Sequence, residues 1–326
     1  MTRDSDGNSN EMMSDAIKVD MHIHLYPRRD IGVTEKSFEV WEYGDYPDII
    51  YSECCGTIDE IGDQMRRSGV SKSVLLIYFK GEVAKREALS NLIQEQPAAL
   101  DQESLAGIDR EIARQLEELN KWGCSISREN SSISTFVTAD VSVQAPDDAA
   151  QHVEIMVRDY QAKGVKLHSA LQGFSMSDRR LWPLYRVCEA LDVPVLGHAG
   201  PDRGGRGISD PNAFAEMLEA FPKLRVVVAH MGGAAWRQTA AIAQRYRNAV
   251  FDCSEIMHWT GAPGAPTDLE LAELIKRVGP DRVMMGSDFP WYDLDASVKR
   301  VLQLPVLSER EKEGILGSNA VRLLGI

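Results

Sequence analysis

The sequence has no run of about 18 continuous apolar residues, so nothing in it reads as a membrane-spanning helix. Residues 1–15, MTRDSDGNSNEMMSD, also lack the apolar stretch that a secretory signal needs, and a cytoplasmic location is expected. Positive charge is scarce: 36 Lys and Arg stand against 49 Asp and Glu, a formal net charge of -13. Such a surface repels nucleic acid and anionic membrane, and neither is expected as a partner; it does not decide the polarity of a small pocket. Cysteine is sparse too. Cys54, Cys55, Cys124, Cys188 and Cys253 form an odd set without CxxC spacing, which excludes a dense disulfide framework. The adjacent pair Cys54–Cys55 has two readings, a redox or metal pair and two ordinary thiols, and the second is preferred. No repeat or low-complexity tract is present. The glycine-rich phosphate turn of a doubly wound sheet is missing from its usual place after the first strand, where MHIHLYP stands instead.

What is present is an alternation. Short apolar runs at 17–23, 70–78, 133–139, 164–167, 193–196, 224–229, 249–253 and 282–285 are separated by helix-like stretches. Buried parallel strands have this pattern, and with polar residues closing the runs it favours an α/β fold, a (β/α)8 TIM-type barrel. Residues 16–326 are expected to form a single barrel domain, preceded by a flexible tail at 1–15. Two connections are long: 26–57 after strand 1, read as a loop serving as substrate lid or dimer contact, and 79–132 after strand 2, read as a helical insertion.

The chemistry concentrates at the ends of these runs. Side chains two apart in a strand point the same way, so His22 and His24 of VDMHIH can present two imidazoles to one ion. Three further strands end in a ligand-capable residue: His198 in PVLGHAG, His230 in VVVAHMGG and Asp288 in VMMGSDFP. In such a barrel the C-terminal strand ends converge on one pocket. Any one of these residues alone is more often structural; their repetition is the signal.

Taken in chain order, VDMHIHLYP, GVKLHSALQGF, PVLGHAG, VVVAHMGG, MGSDFPW and ILGSNAVRLLGI resemble the amidohydrolase superfamily, in particular the amidohydrolase-related branch of metal-dependent hydrolases and non-oxidative decarboxylases. The resemblance covers nearly all of the chain after residue 16. It implies one divalent metal bound by His22, His24, His198 and Asp288, with His230 beside it as catalytic acid or base, and it implies a homodimer. Three neutral imidazoles and a carboxylate suit zinc, with manganese, iron or cobalt as substitutes. Asp288 then accepts a proton from metal-activated water, and His230, which titrates near working pH when unperturbed, polarises a carbonyl or protonates a leaving group.

Lys166 and His168 share a face at the end of the fourth strand. Lys166 either becomes carbamylated, bridging a second ion with His230, or stays a free amine that pairs with a carboxylate of the protein or of a substrate. The one-metal reading is preferred, because the lysine must be modified before it can ligate. Trp291 is a candidate for stacking on a planar substrate. Arg28, Arg29, Arg203 and Arg206 are loop cations able to clamp a carboxylate, Arg203 foremost. Glu255, His258 and Trp259 either line the mouth or belong to a plain loop, and His152 is a packing or surface residue. The expected function is metal-dependent hydrolysis of an amide, lactone or ester of a small molecule. The alternative is non-oxidative decarboxylation of a small aromatic or enol carboxylic acid. A non-catalytic metal scaffold ranks lowest, since structural zinc sites are closed by protein ligands, commonly thiolates.

Overall fold

The computed structural model describes residues 17–38, 46, 48–95, 101–200 and 205–326, so the tail at 1–15 lies outside the described residues. Eight strands form one sheet in chain order: β1 (Val19–Ile23), β2 (Lys72–Leu76), β3 (Ile133–Val137), β4 (Gly164–Leu167), β5 (Val195–Gly197), β6 (Val226–Val228), β7 (Ala249–Asp252) and β8 (Val283–Met284). Every neighbouring pair is parallel. The first and last strands meet through backbone bonds: Met21 N–H donates to Met285 O (2.9 Å), and Asp288 N–H donates to His22 O (2.8 Å). The result is the expected barrel, each strand falling within or one residue beyond its apolar run.

Inside the ring, Val74, Leu76, Phe136, Leu196, Val227 and Met284 belong to one apolar cluster. Tyr78 and His198 stand two residues beyond Leu76 and Leu196, and so share their inward face at the strand ends. The outward strand residues, among them Leu75, Val137, Val165, Val195, Val226 and Phe251, pack in a second cluster with the helices. The fold therefore lines the pocket with the residues just beyond the last apolar position of each strand.

The two long connections differ from each other. After β2, helices α3 (Gly81–Glu95) and α4 (Gln102–Glu129) supply the expected helical insertion. After β1, the expected loop contains a helix, α1 (Arg29–Phe38), and then α2 (Ile58–Ser68) enters through a Thr57/Glu60 capping box. Tertiary contact specifies α1: a β-carbon at Gly32 would lie 1.7 Å from Cys55 O, so the helix sits directly on the following chain. Glu35 of α1 accepts from Tyr78 Oη (2.9 Å) and pairs with Lys80 (2.6 Å). No described helix is long and apolar enough to cross a membrane.

Candidate metal centre

β1 delivers His22 and His24 to the pocket, β5 delivers His198, and the segment after β8 delivers Asp288. All four side chains are buried or nearly so, with relative exposures of 1%, 5%, 9% and 8%. Asp288 Oδ1 lies 3.5 Å from His22 Nε2 and 3.4 Å from His24 Nε2. The ligand atoms of these three residues all fall within 4.8 Å of one another. Ligands held about 2.1 Å from a shared ion are separated by comparable distances.

Whether imidazoles can hold an ion depends on what occupies their other nitrogen. His24 Nδ1 faces Leu76 O at 2.8 Å and must carry the proton, since a carbonyl only accepts. His22 Nδ1 faces Asp252 Oδ2 at 3.2 Å, which assigns it the same tautomer. His230 Nδ1 lies 3.3 Å from Ser254 O, leaving its Nε2 to accept from His198 Nδ1 at 3.2 Å. Each of the three candidate ligands thus keeps its Nε2 lone pair. This donor set, three neutral imidazoles and one carboxylate, fits a divalent ion. Among the described residues His198 joins none of the groups whose ligand atoms lie within 4.8 Å of each other; its ring is stacked on His168 at 3.9 Å and meets His230.

Burial sets the charge states. It draws His22 down to about 3, with the Lys166 ammonium adding to the effect. It also pushes His168 and His198 well below the ordinary imidazole range and lowers His230. For Asp288 and Asp252, burial works upward but is outweighed by the surrounding imidazoles, His22 foremost, and both stay ionised. The expectation that His230 titrates near working pH is corrected accordingly: desolvation keeps its ring neutral.

Sequence reasoning missed Asp252, which anchors the site. Its Oδ2 receives His22 Nδ1, while Oδ1 accepts from the backbone N–H groups of His230 (3.1 Å) and Ser254 (3.1 Å) and from Ser254 Oγ. The signal was available, since Asp252 closes the apolar run of β7 as Asp288 follows that of β8. Tyr78 was missed as well; its ring stands 4.9 Å from His24 and 5.8 Å from His168. Four non-glycine residues in this region have positive φ: His230 (56°), Met231 (49°), Glu255 (58°) and Asp288 (60°). Such conformations cost about 1–3 kcal/mol each and persist only where surroundings enforce them.

The remaining candidates separate cleanly. Lys166 is buried (1% exposed), with Nζ 3.5 Å from His22 Nε2. His168 is buried with its Nδ1 unpartnered among the described residues, and so is Trp291 with its Nε1. The Trp291 ring lies edge-on to His24 at 5.6 Å. Arg203 lies outside the described residues. Arg28 turns away to Asp30 and Arg29 to Glu60, both at 2.8 Å, so neither clamps a substrate in this arrangement; Arg206 is exposed. His258 stacks on Tyr292 at 4.3 Å and meets Ser297, and His152, in the helix Pro146–Arg158, meets Asn120 of α4 at 2.9 Å. Cys54 and Cys55 are free thiols, Cys54 Sγ facing Gln64 and Cys55 Sγ the carbonyl of Glu53.

Comparison with known proteins points in the same direction. A family model described as Amidohydrolase matches residues 131–326, more than half of the chain. The 2-amino-3-carboxymuconate-6-semialdehyde decarboxylase of Dictyostelium discoideum is 23% identical over 215 residues, 56% of this chain and 59% of that protein, so the match spans less than two thirds of that relative. The solved structure of 5-carboxyvanillate decarboxylase from Sphingomonas paucimobilis superposes with a TM-score of 0.62 at 17% identity, over 96% of this chain and 100% of the other. Dihydroxybenzoic acid decarboxylase from Polaromonas sp. JS666, solved with bound manganese and the inhibitor 2-nitroresorcinol, superposes at 0.61 and 16% identity, over 95% and 97%. At these identities the structural likeness shows the barrel fold.

Proposed function

The chain belongs to the amidohydrolase family, and from that premise we propose that it is a metal-dependent non-oxidative decarboxylase of a small aromatic or enol carboxylic acid. Hydrolysis, the first expectation from sequence, has less support, since the relatives compared are named as decarboxylases. The observation within this chain that carries the reading is Lys166. A buried ammonium beside the ligand cluster provides what a carboxylate needs and what a neutral amide or lactone does not.

His22, His24, His198 and Asp288 would hold one divalent ion, zinc by its donor set, with manganese the first substitute because a fold relative carries it. When bound, the ion supplies positive charge that stabilises negative charge developing on substrate oxygen. The protein's own groups do the rest. Lys166 draws in the carboxylate and orients it. Trp291 and Tyr78 offer ring faces at the mouth, and His168 offers an unpartnered nitrogen for a polar substituent. His230, neutral and protonated at Nδ1, takes the substrate's own hydroxyl or carboxyl proton at Nε2 and returns it to the carbon whose bond to the carboxylate breaks as carbon dioxide departs; no oxidant or reductant is consumed.

The test is to purify the protein with zinc or manganese and assay carbon dioxide release from hydroxylated benzoic acids beside hydrolysis of lactones, esters and amides. Metal-dependent release that Lys166→Met weakens by raising KM is the expected outcome. Turnover of the neutral esters or lactones with no decarboxylation would sink the reading and restore hydrolysis.

A further inference from the structure

One carboxylate at the mouth has no place in the proposed ligand set. Glu255 lies beyond β7, with its side chain 12% exposed and Oε2 3.6 Å from His230 Nδ1. Its backbone stands at φ 58°, ψ -66°, and Ile256 N–H bonds back to Ser254 O at 2.6 Å. This is the strained, positive-φ form of γ-turn, rare for a residue bearing a β-carbon. Glycine would take up that conformation freely, so what glutamate adds at this position is its carboxylate.

The neighbourhood gives that carboxylate a task. His230 Nδ1 must remain protonated if Nε2 is to accept from His198, yet its nearest acceptors are shared or long. Ser254 Oγ, at 3.0 Å, also meets His22 Nδ1, and Ser254 O stands at 3.3 Å. We propose that Glu255 is a positioning residue, whose anionic carboxylate holds His230 in the Nδ1-protonated tautomer and fixes the plane of its ring. At 3.6 Å the contact is longer than a hydrogen bond to the neutral ring; such contacts tighten when a ligand closes the site. The inference rests on His230 being the proton carrier of the proposed reaction.

Glu255→Gly separates this role from a structural one, because it removes the carboxylate and the backbone strain together. Positioning predicts a Tm unchanged or raised by about 2 °C, with kcat down about 10- to 100-fold. KM should change little, and Glu255→Gln, which keeps an acceptor, should recover much of kcat. Nitrogen NMR of the His230 ring, assigned by its loss in His230→Asn, should show the Nδ1-protonated tautomer in the metal-loaded wild type and a mixture in Glu255→Gly. A kcat loss accompanied by a lower Tm would make Glu255 structural and overturn the proposal. So would wild-type kcat or an unchanged tautomer. If the wild type decarboxylates none of the acids, the functional reading fails on its own account, and the tautomer measurement alone decides Glu255.

Discussion

An imidazole shielded from water has two nitrogens to account for, and in this pocket the Nδ1 atoms of His22, His24, His198 and His230 each face a specific acceptor. For His22 that acceptor is Asp252, which also receives the backbone N–H groups of His230 and Ser254. Asp252→Asn keeps the volume but can present its amide N–H₂ to His22 Nδ1, favouring the wrong tautomer. Metal affinity should fall about 10- to 100-fold, measured by titrating the purified protein against a chelator of known affinity; unchanged affinity would dismiss the anchoring role. Lys166→Met should leave metal content near the wild-type value while raising KM for a carboxylate substrate. If instead bound metal drops from two ions to one, Lys166 is a carbamylated ligand and the one-ion assignment is wrong.

At the scale of elements, every strand but β3 brings a named site residue from at or just past its C-terminal end, and the closing helical segment packs Ala320 and Leu323 against Val19 and Met21 of β1. That segment, residues 308–324, reads in sequence as a single closing helix. It consists of Glu309–Glu313, a wider π-type turn at Gly314–Ser318, and Asn319–Leu324, entered through a Ser308/Glu311 capping box. Gly317 lies in the wide turn, where an added β-carbon would stand 1.7 Å from Ile17 O at the entry to β1. The obstacle is backbone and cannot rotate aside. Gly317→Ala should therefore destabilise the fold by about 1–3 kcal/mol or more, seen as a lower midpoint in urea with little change in slope; a midpoint within error of the wild type would show that the segment is free to shift. Periodicity located this helix correctly. It could not reveal the wide turn, because a close approach to another strand leaves no trace in local spacing.

For the whole molecule, a pocket crowded with desolvated imidazoles makes stability depend on acid. His22 and His258 are held down to about 3 against 6.5 for an ordinary imidazole, in both cases by burial first. Their folded-state affinity for protons is depressed, so the unfolded chain takes up protons first as pH falls. Their contribution is complete above about 6.5 and is lost progressively down to about 3. The lowered His168, His198 and His230 act in the same direction. Asp20 opposes them: burial raises its carboxyl from 3.8 to about 7, so the stability it adds at low pH is lost as pH rises through that window. Several imidazoles outweigh one carboxyl. Tm is expected to fall steadily below pH 6.5, and a flat or rising profile between about 6.5 and 4 would contradict the burial of these rings. Added zinc or manganese should raise Tm near neutral pH, by an amount corresponding to about 2.7 kcal/mol at a hundredfold excess over Kd, and chelation should reverse it.

Much of this was legible in the chain itself. All eight strands follow from apolar runs, because strands buried on both faces need continuous hydrophobic sequence. His22, His24, His198, His230 and Asp288 follow from polar residues that end those runs, because a parallel barrel brings all such ends to one side. Tertiary structure alone decided the rest. It turned Arg28 and Arg29 onto carboxylates of their own surroundings, put Asp252 behind two histidines, formed α1 where only a loop was expected, and held His230 neutral. Each of these depends on which residues distant in sequence become neighbours and on how much water they exclude, and desolvation is a property of the packed molecule that no local pattern encodes.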